Sequence, residues 1–498
     1  MTTQGVGSDP RAPGGRIRLW APRMLYTAAV VIIAINQLSV DVTRYWRWDE
    51  AVYMSQVTPD TITLWFGPTR ARGITWLIAP AMLFSASMIV TRFYLLLLSC
   101  TFLVLSFRSW RTSAGPVTAA LAALVFSTFW SVSNYASAVF PNIWISIGLV
   151  GAIGSMTAIL HSGWTRGRAA QLVGWTILAT TMRPNDAVVA IGLAGVVVAW
   201  HYLRKGDGSG AWRLVGTAAI AGVVGIAPWT IESFVRFRNP IHRITSGLDI
   251  VNGEQSHRFV LIENIRATDD LGWTFGLTPD PMDPWVLLWW SAMAIGAIWS
   301  ISRITRPEPE NLTSPAAVAM VGIIAVYSFI TPIDARYLLP AWGLGSICVA
   351  AMASTVFYSS EESNGFRDRW LRLAVAPLVL VIAAAPFQAL NLDEQASQQV
   401  EGSRLLASLV DTATARLTSG ECSFAIPWGI AQVTFATGCK GARLTDLESG
   451  QQPAGMPETS NMFVLAPVDD PAPGAFYEDW DAFPTSHEPW TMYYRSSR

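Results

Sequence analysis

Asp49 and Glu50 stand side by side in Trp48-Asp49-Glu50-Ala51, just past the first apolar run of membrane length and among Tyr45, Trp46 and Trp48. Carboxylates are costly inside hydrocarbon, so an acidic pair at a membrane edge points to use. A base at that height can deprotonate an alcohol while a second reactant waits in the lipid, and a positioned carboxylate contributes roughly 10²- to 10⁴-fold to such a step. Arginines complement the pair. Arg183 and Arg336 fall at the ends of apolar runs, and Arg70, Arg72 and Arg92 flank a short apolar stretch. The planar guanidinium fork matches phosphate oxygens, so these residues suit a departing phosphate. A further basic group, Arg236, Arg238, His242 and Arg243, opens a polar segment and reads as a site for an anion or an acceptor.

Each residue also has a plainer role. Asp49 is a good N-cap for a helix begun by Glu50-Ala51-Val52-Tyr53-Met54, and Glu50, whose catalytic reading is to orient Asp49 or the acceptor or to hold a metal, is otherwise a first-turn acid favoured by the helix dipole. Arg183 can pair with Asp186 and Arg336 with Asp334, and the second basic group can be a solvated loop face. Asp41 and Asp60 are less specific. Trp46 and Trp48 can stack on a sugar, although tryptophans at these heights, such as Trp289 and Trp290, mostly mark the interface.

The elements that must position these groups are membrane helices. Of 498 residues, 51% are hydrophobic and 14% charged, well below the quarter that soluble domains carry. About eleven spans follow, near 24–41, 92–108, 117–135, 141–160, 169–183, 186–203, 213–231, 284–302, 315–332, 336–356 and 371–390. Arg11, Arg16, Arg18 and Arg23 precede the first, which makes 1–23 a cytoplasmic tail. Arg108 and Arg111, Arg166 and Arg168, Arg204, Lys205 and Arg213, Arg303 and Arg306, and Arg367, Arg369 and Arg372 then recur on the same side. No cleavable signal peptide precedes the first span. The outer segments are about 42–91, about 232–283 and 391–498. Within the first, Gly73–Ser85 is apolar but short and holds Pro80, so it reads as a half-membrane or interfacial helix.

The polar tail, 391–498, reads as a small α/β domain: a helix over Ala396–Leu417, then short strands at Cys422–Pro427, Gln432–Thr437, Met462–Pro467 and Thr491–Arg495. Cys100 and Cys348 lie in apolar spans as packing residues. Cys422 and Cys439 either remain thiols or form a disulfide, which would close a loop of roughly fifteen residues, contribute about 3 kcal/mol and place the tail in an oxidising compartment. The odd span count independently puts the tail outside. The fold class is therefore mainly α, a polytopic helical membrane protein with a small extracytoplasmic α/β domain.

One helix, an outer loop with an acidic pair, a re-entrant stretch and an Arg-led span resemble the GT-C glycosyltransferases. Trp48-Asp49-Glu50-Ala51-Val52-Tyr53 is similar to their first-loop acidic motif, in the form found in bacterial aminoarabinose and protein mannosyltransferases. Thr181-Met182-Arg183-Pro184-Asn185-Asp186-Ala187 resembles the Arg-Pro motif of mannosyltransferases that build lipid-linked oligosaccharides, and Asp334-Ala335-Arg336-Tyr337-Leu338-Leu339-Pro340 resembles their late Arg-aromatic-x-x-Pro motif. The resemblance covers about 24–390. It implies transfer of a sugar from a polyprenyl-phosphate donor to an envelope glycan, lipid or protein on the outer face, with inversion. Asp49 would be the base, and Arg336, Arg183, Arg72 and Arg92 would hold the donor phosphate. A divalent metal is compatible with this chemistry but not required, because arginines alone can take a monophosphate leaving group. The arginine-for-lysine bias, with only Lys205 and Lys440 present, fits a bacterium with a GC-rich genome, such as an actinobacterium, and makes mannose or arabinofuranose the sugars to test first.

Other classes fit less well. A net charge of −1 suggests no nucleic-acid partner, and His161, His201 and His257 are isolated, without metal-ligand spacing. An envelope-lipid transporter would explain the spans and outer arginines, but ion-coupled transport expects acids at mid-membrane, and no internal repeat is visible. A noncatalytic scaffold would keep the fold without needing Asp49.

Overall fold

The computed structural model describes residues 13–40, 46–59, 61–85, 87–252, 259–266, 268, 283–305, 312–329, 334–359, 375–416, 422–426, 430–443, 461–467, 481–484 and 490–495. Arg11, Asp41, Tyr45, Asp60, His257, Arg306, Arg367, Arg369, Arg372 and Leu417 lie outside them, as does all of 269–282 in the second outer segment.

Among the described residues each of the eleven predicted spans coincides with helix. They correspond to α1 (Pro13–Asn36), α4 (Met88–Arg108), α5 (Pro116–Ser127) with α6 (Trp130–Ala136), α7 (Pro141–Ser162), α8 (Arg166–Met182), α9 (Pro184–Arg204), α10 (Gly208–Arg236), α13 (Pro284–Ile301), α14 (Ser314–Tyr327), α15 (Leu339–Ser359) and α16 (Ala376–Arg416). Between them lie α2 (Trp48–Met54), α3 (Gly73–Phe84), α11 (Pro240–Asn252) and α12 (Leu261–Arg266). Seven helices are long and apolar enough to cross a membrane alone, and the α5–α6 pair makes an eighth if taken as one span. The protein is thus an integral membrane protein. Proline at the first turn starts α5, α7, α9, α13 and α14, where its missing N–H costs nothing.

Helix α7 is the axis of the fold, buried from Pro141 to Leu160. Small residues allow this. A Cβ on Gly148 would come within 2.9 Å of the Ala179 backbone in α8, and Trp110 Nε1 donates to the Val150 carbonyl at 2.9 Å.

The predicted span 117–135 is instead broken by an 82° bend between α5 and α6. Phe129 at the break is extended, and its buried ring packs on Trp342 at 3.9 Å and Trp289 at 5.2 Å. The Trp130 amide, left without an intrahelical partner, donates to Gln388 Oε1 at 3.0 Å. Hydropathy is blind to this kink because both halves are apolar.

Helix α16 runs 41 residues through Pro386, so the last span and the expected tail helix are one rod crossing the 390/391 boundary. The tail sheet has the order β2 (Lys440–Arg443), β1 (Cys422–Ile426), β3 (Asn461–Pro467), β5 (Trp490–Arg495), β4 (Asp481–Pro484). Gln432–Thr437, expected as a strand, belongs to helix α17 (Ile430–Thr437). Strands β1 and β2 pair in parallel, and parallel neighbours need a crossover, which α17 supplies. Cys422 and Cys439 are disulfide-bonded, tying the start of β1 to the end of that crossover. Leu406 and Leu409 of α16 share a small core with Phe424, Val433, Phe463 and Met492. Helix α17 also packs on α2, and its Phe435 reaches the membrane core.

Candidate active site

Helix α2 carries the acidic pair, and its first turn sends the two carboxylates to different places. Its N-cap is Arg47, not Asp49. Glu50, at the third helical position, accepts from the Arg47 amide at 3.0 Å and from the Val139 amide at 2.9 Å. It also pairs with Arg92 at 3.2 Å, and both side chains are 0% exposed. The Arg92 guanidinium lies 4.8 Å from the Trp46 ring centroid. Glu50 therefore fastens α2 to α4 and to the end of the α6 segment. Glu50 and Arg92, expected to serve catalysis and the donor phosphate, are paired with each other and buried.

Asp49 faces a cluster of arginines. Arg70 Nη2 donates to its Oδ1 at 2.5 Å, and Arg336 Nη1 lies 3.2 Å from its Oδ2. Burial pushes the Asp49 carboxyl up, but Arg70 and Arg336 outweigh it and hold it below the usual carboxylate range.

Local sequence explains how each arginine arrives. Arg336 sits in a 3₁₀ turn capped by Asp334, whose Oδ1 accepts from the Arg336 amide at 2.9 Å and whose Oδ2 lies 3.1 Å from Arg336 Nε. Asp334 is 1% exposed, and burial raises its carboxyl despite Arg336. Asn142 holds the Arg336 carbonyl at 3.1 Å. Arg183 precedes Pro184, which forces it out of helical backbone (φ −147°, ψ 89°) at the break between α8 and α9. There it pairs with Asp186 at 2.9 Å and donates to the Tyr327 hydroxyl, which donates to Asp186 at 2.8 Å. The Tyr337 ring stacks on Tyr327 at 5.4 Å and lies 4.8 Å from the Arg183 guanidinium. Tyr53, one turn along α2 from Asp49, lies in the field of Asp49, Arg70, Arg183 and Arg336 together.

Arg70 comes from the loop 67–72, brought in by close packing: a Cβ on Gly73 would lie 2.6 Å from the Thr181 carbonyl oxygen at the end of α8. The loop has a second face. Arg72 turns away from Asp49 to Glu232 at 2.8 Å and to Gln56 at 3.0 Å. Glu232 also takes Arg236 at 2.9 Å and Arg243 at 3.0 Å. Arg243, expected to bind an anion, is 0% exposed and acts as a clamp. It donates to the carbonyls of Pro68 at 3.0 Å, Arg70 at 2.7 Å and Trp229 at 3.0 Å. Arg236, Arg238 and His242 are exposed nearby, with Arg238 in left-handed backbone (φ 68°).

The structure thus joins Asp49, Arg70, Arg336 and Arg183 around Tyr53, places Arg72 in the adjoining Glu232 network, and separates Glu50 and Arg92 into a buried staple. Sequence reasoning missed Tyr53, Tyr327, Tyr337 and Glu232. The Arg-aromatic pair Arg336-Tyr337 was the available signal for one of them. Among the described residues no three His, Cys, Asp or Glu side chains gather as a metal site.

Solved structures share this architecture. The chain superposes on ArnT from Cupriavidus metallidurans bound to undecaprenyl phosphate with a TM-score of 0.60 at 15% identity, over 95% of this chain and 97% of that one. For ArnT in the apo state the TM-score is 0.58 at 14% identity with the same coverage. The oligosaccharyltransferase of Archaeoglobus fulgidus, tethered to an acceptor peptide containing the NVT sequon, gives 0.50 at 14% identity over 91% of this chain and 70% of that one. No protein-family model and no curated protein matches the sequence. At these identities the likeness establishes the fold alone, which this chain shares with those structures.

Proposed function

We propose that this chain is a glycosyltransferase that moves a sugar from a polyprenyl-phosphate donor to an envelope glycan, lipid or protein acceptor on the outer membrane face. The observation that carries this reading is Asp49 held between Arg70 and Arg336 at 2.5 and 3.2 Å, beside an apolar membrane bundle. A base and two phosphate-binding forks within one side chain's reach are what inverting transfer from a phosphate leaving group requires. Support also comes from the fold, since ArnT with that fold was solved with undecaprenyl phosphate bound.

In this reading Arg336 and Arg70 receive the donor phosphate, with Arg183 beside them, and Asp49 takes the acceptor proton. Glu50 and Arg92 keep α2 in place. The N-terminus is cytoplasmic and the disulfide-bonded tail extracytoplasmic in a bacterial cell membrane. Helix α17 makes that tail part of the site's outer wall. Mannose and arabinofuranose are the first donors to try.

The test is transfer by purified protein in nanodiscs, with labelled polyprenyl-phosphate mannose or arabinose, an envelope-lipid extract, and Asp49→Asn beside wild type. Transfer that vanishes in a folded Asp49→Asn variant supports both class and base. Transfer unchanged by the substitution removes Asp49 from the mechanism. No transfer from donors shown competent on a known enzyme would favour a transporter or scaffold.

A further inference from the structure

The three guanidiniums nearest the site are already matched. Arg70 faces Asp49, Arg183 faces Asp186, and Arg336 faces both Asp49 and Asp334. These pairs are largely buried, and among the described residues Arg47, bonded to Asn134, is a further cation in the field of Asp334. A phosphate anion entering against guanidiniums already paired would meet the like charge of their carboxylates, which is costly away from water. One carboxylate must give way. Asp334 and Asp186 are 1% and 4% exposed at the side chain and are fixed by further bonds, to the Arg336 amide and the Tyr327 hydroxyl. Asp49 is 18% exposed, and among the described residues only the two arginines bond its side chain. Arg70 Nε, buried, has no hydrogen-bond partner among the described residues, so Asp49 does not saturate that fork.

We propose that Asp49 is an internal competitor of the donor phosphate: the carboxylate and the phosphate contend for the same edges of Arg70 and Arg336, so loading the donor releases the base. This rests on the donor reading above and adds an order of events to it. While paired, Asp49 is a weak base, since two cations stabilise its charge. Displaced by the phosphate, it loses that stabilisation and becomes basic only when a donor is in place.

The transfer step then balances. The acceptor oxygen attacks the anomeric carbon, and its proton passes to Asp49. The bond from that carbon to the phosphate oxygen breaks, and its electron pair leaves on the phosphate. The product polyprenyl phosphate carries more charge than the diester donor, about −1.5 to −2 against −1 near neutral pH, and would be held tightly by two arginines. Once Asp49 loses its proton it reclaims them and drives product release.

The experiment is a titration of polyprenyl phosphate into full-length wild type, Asp49→Asn and Asp49→Ala in nanodiscs, read by thermophoresis, with thermal melts as the folding control. Removing a competing charge predicts tighter binding by both variants, about tenfold, the scale of one like charge taken from a shared site. Equal or weaker binding by both folded variants overturns the inference while leaving the glycosyltransferase reading intact if Asp49→Asn still abolishes transfer. Absence of binding to all three folded proteins overturns the donor reading and this inference with it. Should one variant fail to fold, the other decides the sign.

Discussion

The loop 67–72 separates two arginine clusters with opposite charge economies. On one face Arg70, Arg336 and Arg183 meet three carboxylates, and the groups are largely buried. On the other, Arg72, Arg236 and Arg243 share the single carboxylate of Glu232. Excess positive charge survives on the second face because Arg72 and Arg236 are 25% and 35% exposed at the side chain, where water screens them. Arg243, which is not exposed, spends its donors on backbone carbonyls. Balance where water is scarce and excess where it is not is the pattern expected of a site that exchanges one anion for another beside a scaffold that holds the loop. The predictions below break that contrast, beginning with the largest effect.

Arg336→Ala should lower transfer by roughly 10²- to 10³-fold, the loss seen when a donor to a developing negative charge is removed. Protein folding should survive, because Asp334 can take up a proton when its partner is gone. Initial rates at saturating donor, with a melt to verify folding, measure it. A loss below tenfold would move the phosphate away from this face.

Glu50→Gln strikes the staple instead. The Glu50–Arg92 pair is wholly buried, and removing one charge of such a pair costs about 3 to 5 kcal/mol because the other is stranded. The expected readout is a fall in melting temperature and yield clearly larger than that of Asp49→Asn, whose ion-paired carboxylate is partly exposed. If the two variants melt alike, the division between a structural and a chemical carboxylate fails.

Arg243→Met should keep most of the packing on Trp229 and Phe237 but release the Pro68 and Arg70 carbonyls. Misplacing Arg70 by about an ångström predicts a loss in turnover of tens of fold, with a smaller change in donor affinity because Arg336 remains. A fall in stability alone, with turnover intact, would make Arg243 a packing residue only.

Much of this was legible in the sequence, and the limits have physical causes. Membrane helices declare themselves by composition, so each of the eleven apolar segments coincides with helix among the described residues, although only seven, or eight with the α5–α6 pair, are long and apolar enough to cross a membrane. The Arg183-Pro184 and Asp334-Ala335-Arg336 strings place arginines at helix breaks, where the side chain must leave the helix. What the sequence does not reveal is direction. Asp49 and Glu50 are one residue apart and therefore about 100° apart around a helix, which sends one into the arginine cluster and the other into a buried staple. Arg243 looked like a member of a basic patch because burial depends on where loop 67–72 folds back, 175 positions away from it. The break between α5 and α6 depends on where Phe129 finds Trp342 and Trp289, and Gln432–Thr437 is helical because the parallel pairing of β1 and β2 demands a crossover.

Acid tests Asp49 more gently. Its folded-state pKa lies below the ordinary aspartate value of about 3.9. Its ion pairs therefore contribute stability that is fully present above that value and lost as pH falls through the lowered one. The difference in melting temperature between wild type and Asp49→Asn should be flat from neutral pH to about pH 5, then narrow on further acidification. A difference that narrows already near neutrality would mean that Asp49 is not ionised between its arginines.

The smallest effect belongs to the exposed face. Arg236 shares Glu232 with two other guanidiniums and is a third exposed, so its pair is worth little in water. Arg236→Ala should leave stability within about 0.5 kcal/mol, and Glu232 keeps Arg72 and Arg243. Transfer to a neutral acceptor should change by less than about twofold, since no bond from Arg236 reaches loop 67–72 directly. If the acceptor is itself anionic, Arg236 and the neighbouring Arg238 supply the positive charge it would meet, and the Michaelis constant for that acceptor alone should rise with salt and with the substitution. Comparing neutral and anionic acceptors on the one variant therefore separates a scaffold face from an acceptor face. A loss as large as that of Arg336→Ala, on either acceptor, would erase the distinction between the two clusters.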